Sequence, residues 1–162
     1  MSRKKNDLRG IGKSFFCAFR GIVYGVRHER NLRFHLVAAA YVFYFAGFYD
    51  FSRAEYAILA LVCAFVIAAE LFNTAVEVMI DKISPRFNVF AMIGKDLAAG
   101  AVLVSAVAAL VAGIALFWDI PTFVRIFEFF TSGWLPPLLL LASAVLSVLF
   151  VFSATERGGK PK

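Results

Sequence analysis

The sequence predicts an all-α polytopic membrane protein: an amphipathic interfacial helix followed by four membrane-spanning helices. Three observations predict this class. Hydrophobic residues make up 61% of the 162 and charged residues only 17%, and the mean hydropathy of +0.78 exceeds what a soluble core requires. The apolar residues gather in long uncharged runs, and ~20 helical residues cross the ~30 Å hydrocarbon layer. Lys and Arg collect at the ends of those runs in an alternating pattern.

Residues 1–33 form a basic segment. From Leu8 to Val26, Ile11, Phe15, Phe19, Ile22 and Val26 recur at spacings of three and four, with Lys13, Arg20 and Arg27 largely on other faces. This suits a helix in the headgroup plane, with aromatics dipping into acyl chains and cations meeting phosphates. Gly12-Lys13-Ser14 imitates the end of a phosphate-binding loop, but that pattern needs a glycine where Asp7 stands. The stretch reads as interfacial helix. His28, Glu29, Arg30, Asn31, Arg33 and His35 follow as a dense polar cluster, most of it expected to be membrane-surface solvation. Glu29, an acid between Arg27 and Arg30, either pairs with those arginines or joins a metal site.

Residues 34–118 form the core. Its first spans are Phe34 to Tyr49 and Tyr56 to Ala69, the second continuing through Glu70, Asn73, Glu77 and Asp81 to a break at Pro85. Leu97 to Trp118 is a third, uncharged span, started by Lys95 and Asp96. Residues 119–162 add a fourth span, Trp134 to Ala154, opened by Pro136 and Pro137. Phe123, Phe127, Phe129 and Phe130 precede it as an outer aromatic belt. Nine of the 17 Lys and Arg precede Phe34, Arg53 separates the first two spans, and Lys82, Arg86 and Lys95 separate the next two. Arg125 precedes the fourth and three cations follow it, so both termini are expected to be cytoplasmic. About thirty polar and basic residues before the first span argue against a cleavable signal. Cys17 and Cys63 have neither disulfide nor metal spacing and read as packing residues. The net charge of +6 lies at the membrane boundaries, where anionic lipid rather than nucleic acid explains it.

A charge inside a spanning helix costs about 2.5–3.5 kcal/mol on insertion scales. At ~100° per residue, Glu70, Asn73, Glu77 and Asp81 share an arc of roughly 80° and form one polar stripe. Carboxylates one or two turns apart beside an amide suit Mg²⁺ and phosphate chemistry, since hard oxygens hold the ion and the ion screens a triphosphate. The residues alone leave open a polar seam satisfied by neighbouring cations, an ion or proton channel, and a non-catalytic scaffold built on small residues such as Ala98, Gly100, Ala109 and Gly113. Lys95 and Asp96 read either as phosphate and metal or ribose partners, or as a pair initiating a helix.

The run Glu70-Leu-Phe-Asn-Thr-Ala-Val-Glu77-Val-Met-Ile-Asp81, followed by Gly94-Lys95-Asp96-Leu-Ala-Ala-Gly, resembles the signature of the prokaryotic diacylglycerol kinase and undecaprenol kinase family. The resemblance runs from about Lys13 to Trp118. It implies a homotrimeric kinase of the bacterial inner membrane with active sites shared between subunits, using ATP and Mg²⁺. It implies Glu70 as catalytic base, Glu29 and Glu77 as metal-binding carboxylates, Lys95 and Asp96 as nucleotide contacts, and Asn73 as polar support. Cys17 and Asn88 depart from the family pattern, and residues from Asp119 onward lie outside it. The form Glu29-Arg-Asn-Leu-Arg-Phe-His35 resembles the Gram-positive branch, which implies undecaprenol as acceptor, with diacylglycerol as the alternative.

Overall fold

The computed structural model of the protein describes residues 2–84, 86 and 88–153, with side chains from Ile11 onward. Pro85, Ala154 and the basic tail, where the sequence places a helix break, a span end and three cations, lie outside the described residues. The described residues form six helices and no strand: α1 (Ser2–His28), α2 (Arg30–Ala46), α3 (Arg53–Ile83), α4 (Val89–Phe117), α5 (Ile120–Thr131) and α6 (Leu135–Phe152).

The helices α3, α4 and α6 are long and apolar enough to cross a membrane. The expected first span is shorter. Its 17 residues rise about 26 Å, and it begins with Arg30 and Arg33. By contrast, α3 has 31 residues and rises about 46 Å, well beyond the ~30 Å hydrocarbon. α4, of 29 residues, pairs with α3 over the most extensive helix contact of the fold. At the joined end Gly94 lies against Ile80, where an added Cβ would come within 3.1 Å of Ile80 Cδ1.

Side chains terminate the helices as their chemistry dictates. Ser52 and Glu55 form a reciprocal capping box at the start of α3, with Ser52 N–H donating to Glu55 Oε2 at 2.7 Å and Glu55 N–H to Ser52 Oγ at 3.3 Å. Asn88 caps α4 by accepting from Phe90 N–H at 2.9 Å. α4 therefore begins before Lys95 and Asp96, which stand two turns inside it rather than initiating it. Asp119 caps α5, accepting from Thr122 N–H at 3.1 Å. The belt phenylalanines expected here belong to this helix, and Phe129 and Phe130 meet Phe48 at 5.2 and 6.3 Å between ring centroids.

The apolar stripe of α1 is uncovered at Ile11, Phe15, Phe19 and Ile22, as a helix resting on acyl chains requires. Its far end is held by Gly25, where α1, α2 and α3 meet: a Cβ there would sit 2.7 Å from Leu32 Cδ2 and 2.9 Å from Leu71 Cδ2. Gly25→Val is expected to lower stability in detergent by roughly 1–3 kcal/mol through overpacking. Gly12→Val, in the same helix with nothing within 4 Å of its added Cβ, is expected to leave stability unchanged or slightly raised, since valine suits a helix interior better than glycine. Thermal melting of the two variants measures the difference.

Candidate functional site at the α1–α2 hinge and the C-terminal half of α3

α1 and α2 are separated by one residue. Glu29 takes an extended conformation (φ −110, ψ 116) while its N–H still donates to Gly25 O at 2.7 Å. His28 closes α1, its ring 2.9 Å from Tyr24 O and stacked on the Tyr24 ring at 4.1 Å. The hinge turns Glu29 toward α3, within electrostatic reach of Glu77.

The stripe on α3 divides by depth. Glu70, ~26 Å along the helix from Arg53, is 3% exposed. Its carboxylate is hydrogen-bonded by the Asn31 side chain and lies within reach of the charges of Glu29 and Glu77. Oε1 of Glu70 is buried without a hydrogen-bond partner among the described residues. Thr74, a turn later, returns its hydroxyl to Glu70 O at 3.0 Å. Asn73 donates Nδ2 to Glu77 Oε1 at 2.9 Å, and its own Oδ1 is buried and unpartnered among the described residues. The outermost acid behaves differently, since Asp81 is ion-paired to Lys95 of α4.

Glu29, Glu70, Asn73 and Glu77 thus converge between the hinge and α3. Lys95 is committed to Asp81, and Asp96 lines a separate open groove between α3 and α4, of about 750 Å³, with Phe72, Asn73 and Leu97. Two residues in the site were read as surface solvation from sequence. Asn31 reaches Glu70, and Arg33 is only 3% exposed, donating Nη1 to Ser153 Oγ at the end of α6 at 3.1 Å. Neither had a local signal: Asn31 and Arg33 stand two residues apart, on nearly opposite faces of α2, and each is placed by a tertiary partner.

Among the described residues no three His, Cys, Asp or Glu side chains form a metal cage. Two facing carboxylates with a neighbouring amide oxygen are nevertheless hard oxygen donors of the kind that would hold a divalent cation such as Mg²⁺. Burial raises the carboxyl pKa of Glu29 above its ordinary value, and the charge of Glu77 raises it further, against smaller opposing effects of His28 and Arg33. A site that disfavours its own negative charge is one that a cation relieves.

Residues 16–117 match the family described as prokaryotic diacylglycerol kinase. The chain belongs to that family. It is 38% identical over 113 residues to an undecaprenol kinase of Bacillus subtilis, covering 70% of this chain and 92% of the relative. It is 37% identical over 101 residues to a diacylglycerol kinase of Synechocystis, covering 62% of this chain and 58% of that longer relative. No solved structure matches the chain. The protein is therefore a membrane lipid kinase. The family match ends where α4 ends, so the pore and scaffold readings of the stripe give way to phosphoryl transfer while α5 and α6 stand outside the shared core.

The raised pKa of Glu29 sets a pH dependence for this kinase. Between the ordinary value of 4.5 and its raised value, the folded chain holds a proton that the unfolded chain releases, so stability falls as pH rises through that window. In chelator-containing buffer, Glu29→Gln is expected to melt higher than wild type at pH 7, with the difference closing toward pH 4.5. Added Mg²⁺ is expected to raise the wild-type melting temperature and leave that of the variant nearly unchanged.

Proposed function

We propose that the chain phosphorylates undecaprenol to undecaprenyl phosphate, with ATP as donor and Mg²⁺ as the required ion. The observation that carries this reading is the unpartnered Glu70 oxygen buried beside the facing pair Glu29 and Glu77, at the inner end of a helix longer than the membrane is thick. The near full-length similarity to the Bacillus subtilis relative supports undecaprenol over diacylglycerol.

Bound Mg²⁺ would supply charge neutralisation to the triphosphate, held between Glu29 and Glu77. The remaining work falls to the chain's own side chains. Asn31 holds one oxygen of Glu70, which leaves Oε1 to accept the proton of the lipid hydroxyl as that oxygen attacks the γ-phosphorus and the bond to the β-phosphate oxygen breaks. Asn73 fixes the Glu77 carboxylate against rotation. Lys95 holds Asp81 at the water-facing rim with its side chain 36% exposed, and it reaches a phosphate by exchanging that partner. Asp96 meets the nucleotide from the α4 side. Phosphoryl transfer asks for positioning and electrostatics, and no covalent enzyme intermediate is involved.

The enzyme works as a homotrimer in the bacterial inner membrane, with both termini and the carboxylate end of α3 in the cytoplasm, where ATP is dissolved. The distribution of Lys and Arg supports that orientation. Purified protein in mixed micelles, given labelled ATP, Mg²⁺ and either undecaprenol or diacylglycerol, is expected to label undecaprenol faster. Glu70→Gln is expected to lose ~10²–10⁴-fold in turnover while keeping its melting temperature and assembly. Preference for diacylglycerol would move the acceptor, and undiminished turnover in Glu70→Gln would remove the assigned base.

A further inference from the structure

The C-terminal extension reaches back to the catalytic hinge. α6 runs beside α2 and carries no basic residue in its own last turn. Its free carbonyl end, the negative pole of its dipole, is met instead by two cations of α2. Arg33, 3% exposed, donates to Ser153 Oγ at 3.1 Å, and Ser153 Oγ is anchored to Phe150 O at 2.8 Å. Arg30 lies over the Phe152 ring at 5.6 Å from its centroid. These arginines occupy the first turn of α2, directly after Glu29, and the charge of Arg33 is felt at the Glu29 carboxylate.

We propose that the end of α6 is a positioning element of the kinase site: Ser153 and Phe152 hold Arg33 and Arg30, and so fix the start of α2 that aims Glu29 at Glu77. Glu29 is the sole residue between two helices, so its direction depends on the angle at which α2 leaves α1. α2 is short for a span, and it packs against α6 as well as α3. When Arg33 loses Ser153, the first turn of α2 loses its hold on the end of α6, and the aim of Glu29 at Glu77 loosens. Ser153, Phe152 and Arg33 are therefore positioning residues, acting on metal affinity through Glu29. This inference rests on the Mg²⁺ site proposed above.

The test is the Mg²⁺ dependence of phosphate transfer from labelled ATP by the full chain in mixed micelles, with melting temperatures measured in parallel. Ser153→Ala and Phe152→Ala are expected to raise the half-activating Mg²⁺ concentration about three- to tenfold, less than the full loss of a charge-assisted hydrogen bond because each contact acts on the metal only through Glu29. Turnover at saturating Mg²⁺ and the melting temperature should change little, and Ser153→Thr should restore the wild-type curve. Ser153→Ala combined with Arg33→Lys should be no worse than Arg33→Lys alone, because both remove the same contact. Tyr41→Phe loosens the middle of the same helix pair, where Tyr41 Oη meets Ser143 Oγ at 2.9 Å, and should leave the Mg²⁺ dependence unchanged. An unshifted Mg²⁺ curve in Ser153→Ala, or an equal shift in Tyr41→Phe, would overturn the positioning role while leaving the kinase reading intact. Mg²⁺-independent transfer by the wild type would instead overturn the metal site, and this inference with it.

Discussion

A carboxylate resists leaving water, and this chain keeps one, Glu70, 3% exposed in the wall of a long apolar helix. Much of the inner half of the molecule follows from that cost. The length of α3 beyond the hydrocarbon lets the stripe climb from an apolar setting at Glu70 to a solvated one at Asp81 within three turns. Asn31 arrives from α2 because a buried carboxylate needs a donor, and Thr74 turns its hydroxyl back onto the helix backbone rather than competing for that carboxylate. Gly25 belongs to the same requirement: without its missing side chain α1 could not close on Leu32 and Leu71, and the hinge would stand away from α3.

Much of this was legible in the sequence, and for identifiable reasons. The spacing of Glu70, Asn73, Glu77 and Asp81 is a property of one helix, so periodicity alone put them on one face. The link of Glu29 to Glu77 depends on tertiary contact and came with the family likeness rather than with the pattern, and the extensive pairing of α3 with α4 came from neither. The start of α4 was misplaced because Lys95 and Asp96 read as a charged boundary, whereas Asn88 caps the helix seven residues earlier and the pair rides on its surface. α5 was read as an aromatic belt because its phenylalanines are dense enough to hide an amphipathic period. Arg33 went unread for a different reason: its partner stands 120 residues away, and no local pattern carries that information.

The contacts of α2 with the C-terminal helices solve a separate problem, the shortness of α2. A helix of 17 residues with two arginines in its first turn has little apolar length with which to hold itself in a bilayer. It is tied down from outside the family core. Phe45 and Phe48 meet Phe129 and Phe130, Tyr41 meets Ser143 and Ser147, and Arg33 meets Ser153. Hydrogen bonds between spanning helices are worth only about 0.6 kcal/mol on average, so the spacing of these contacts along α2 matters more than any one of them. Tyr49 adds a tie across the outer end, donating its hydroxyl to Phe117 O at 2.9 Å.

The two halves meet in the division of labour along α3. A kinase whose acceptor dissolves in the membrane and whose donor dissolves in water must place the base within reach of the first and the phosphate-binding charges within reach of the second. In the proposed assignment the stripe, with Glu29 and Lys95 beside it, does this by depth. Glu70 lies deepest, where a lipid hydroxyl arrives with few competing waters. Glu77 and Glu29 lie a level above, where a hydrated cation can enter, and Asp81 with Lys95 lies at the rim, where an ion pair is solvated enough to exchange partners. Their separation, about 1.5 Å per residue along one helix, sets the proposed base some 16 Å from the water-facing rim, so the one motion the proposed reaction asks of the stripe is the exchange of partners at Lys95.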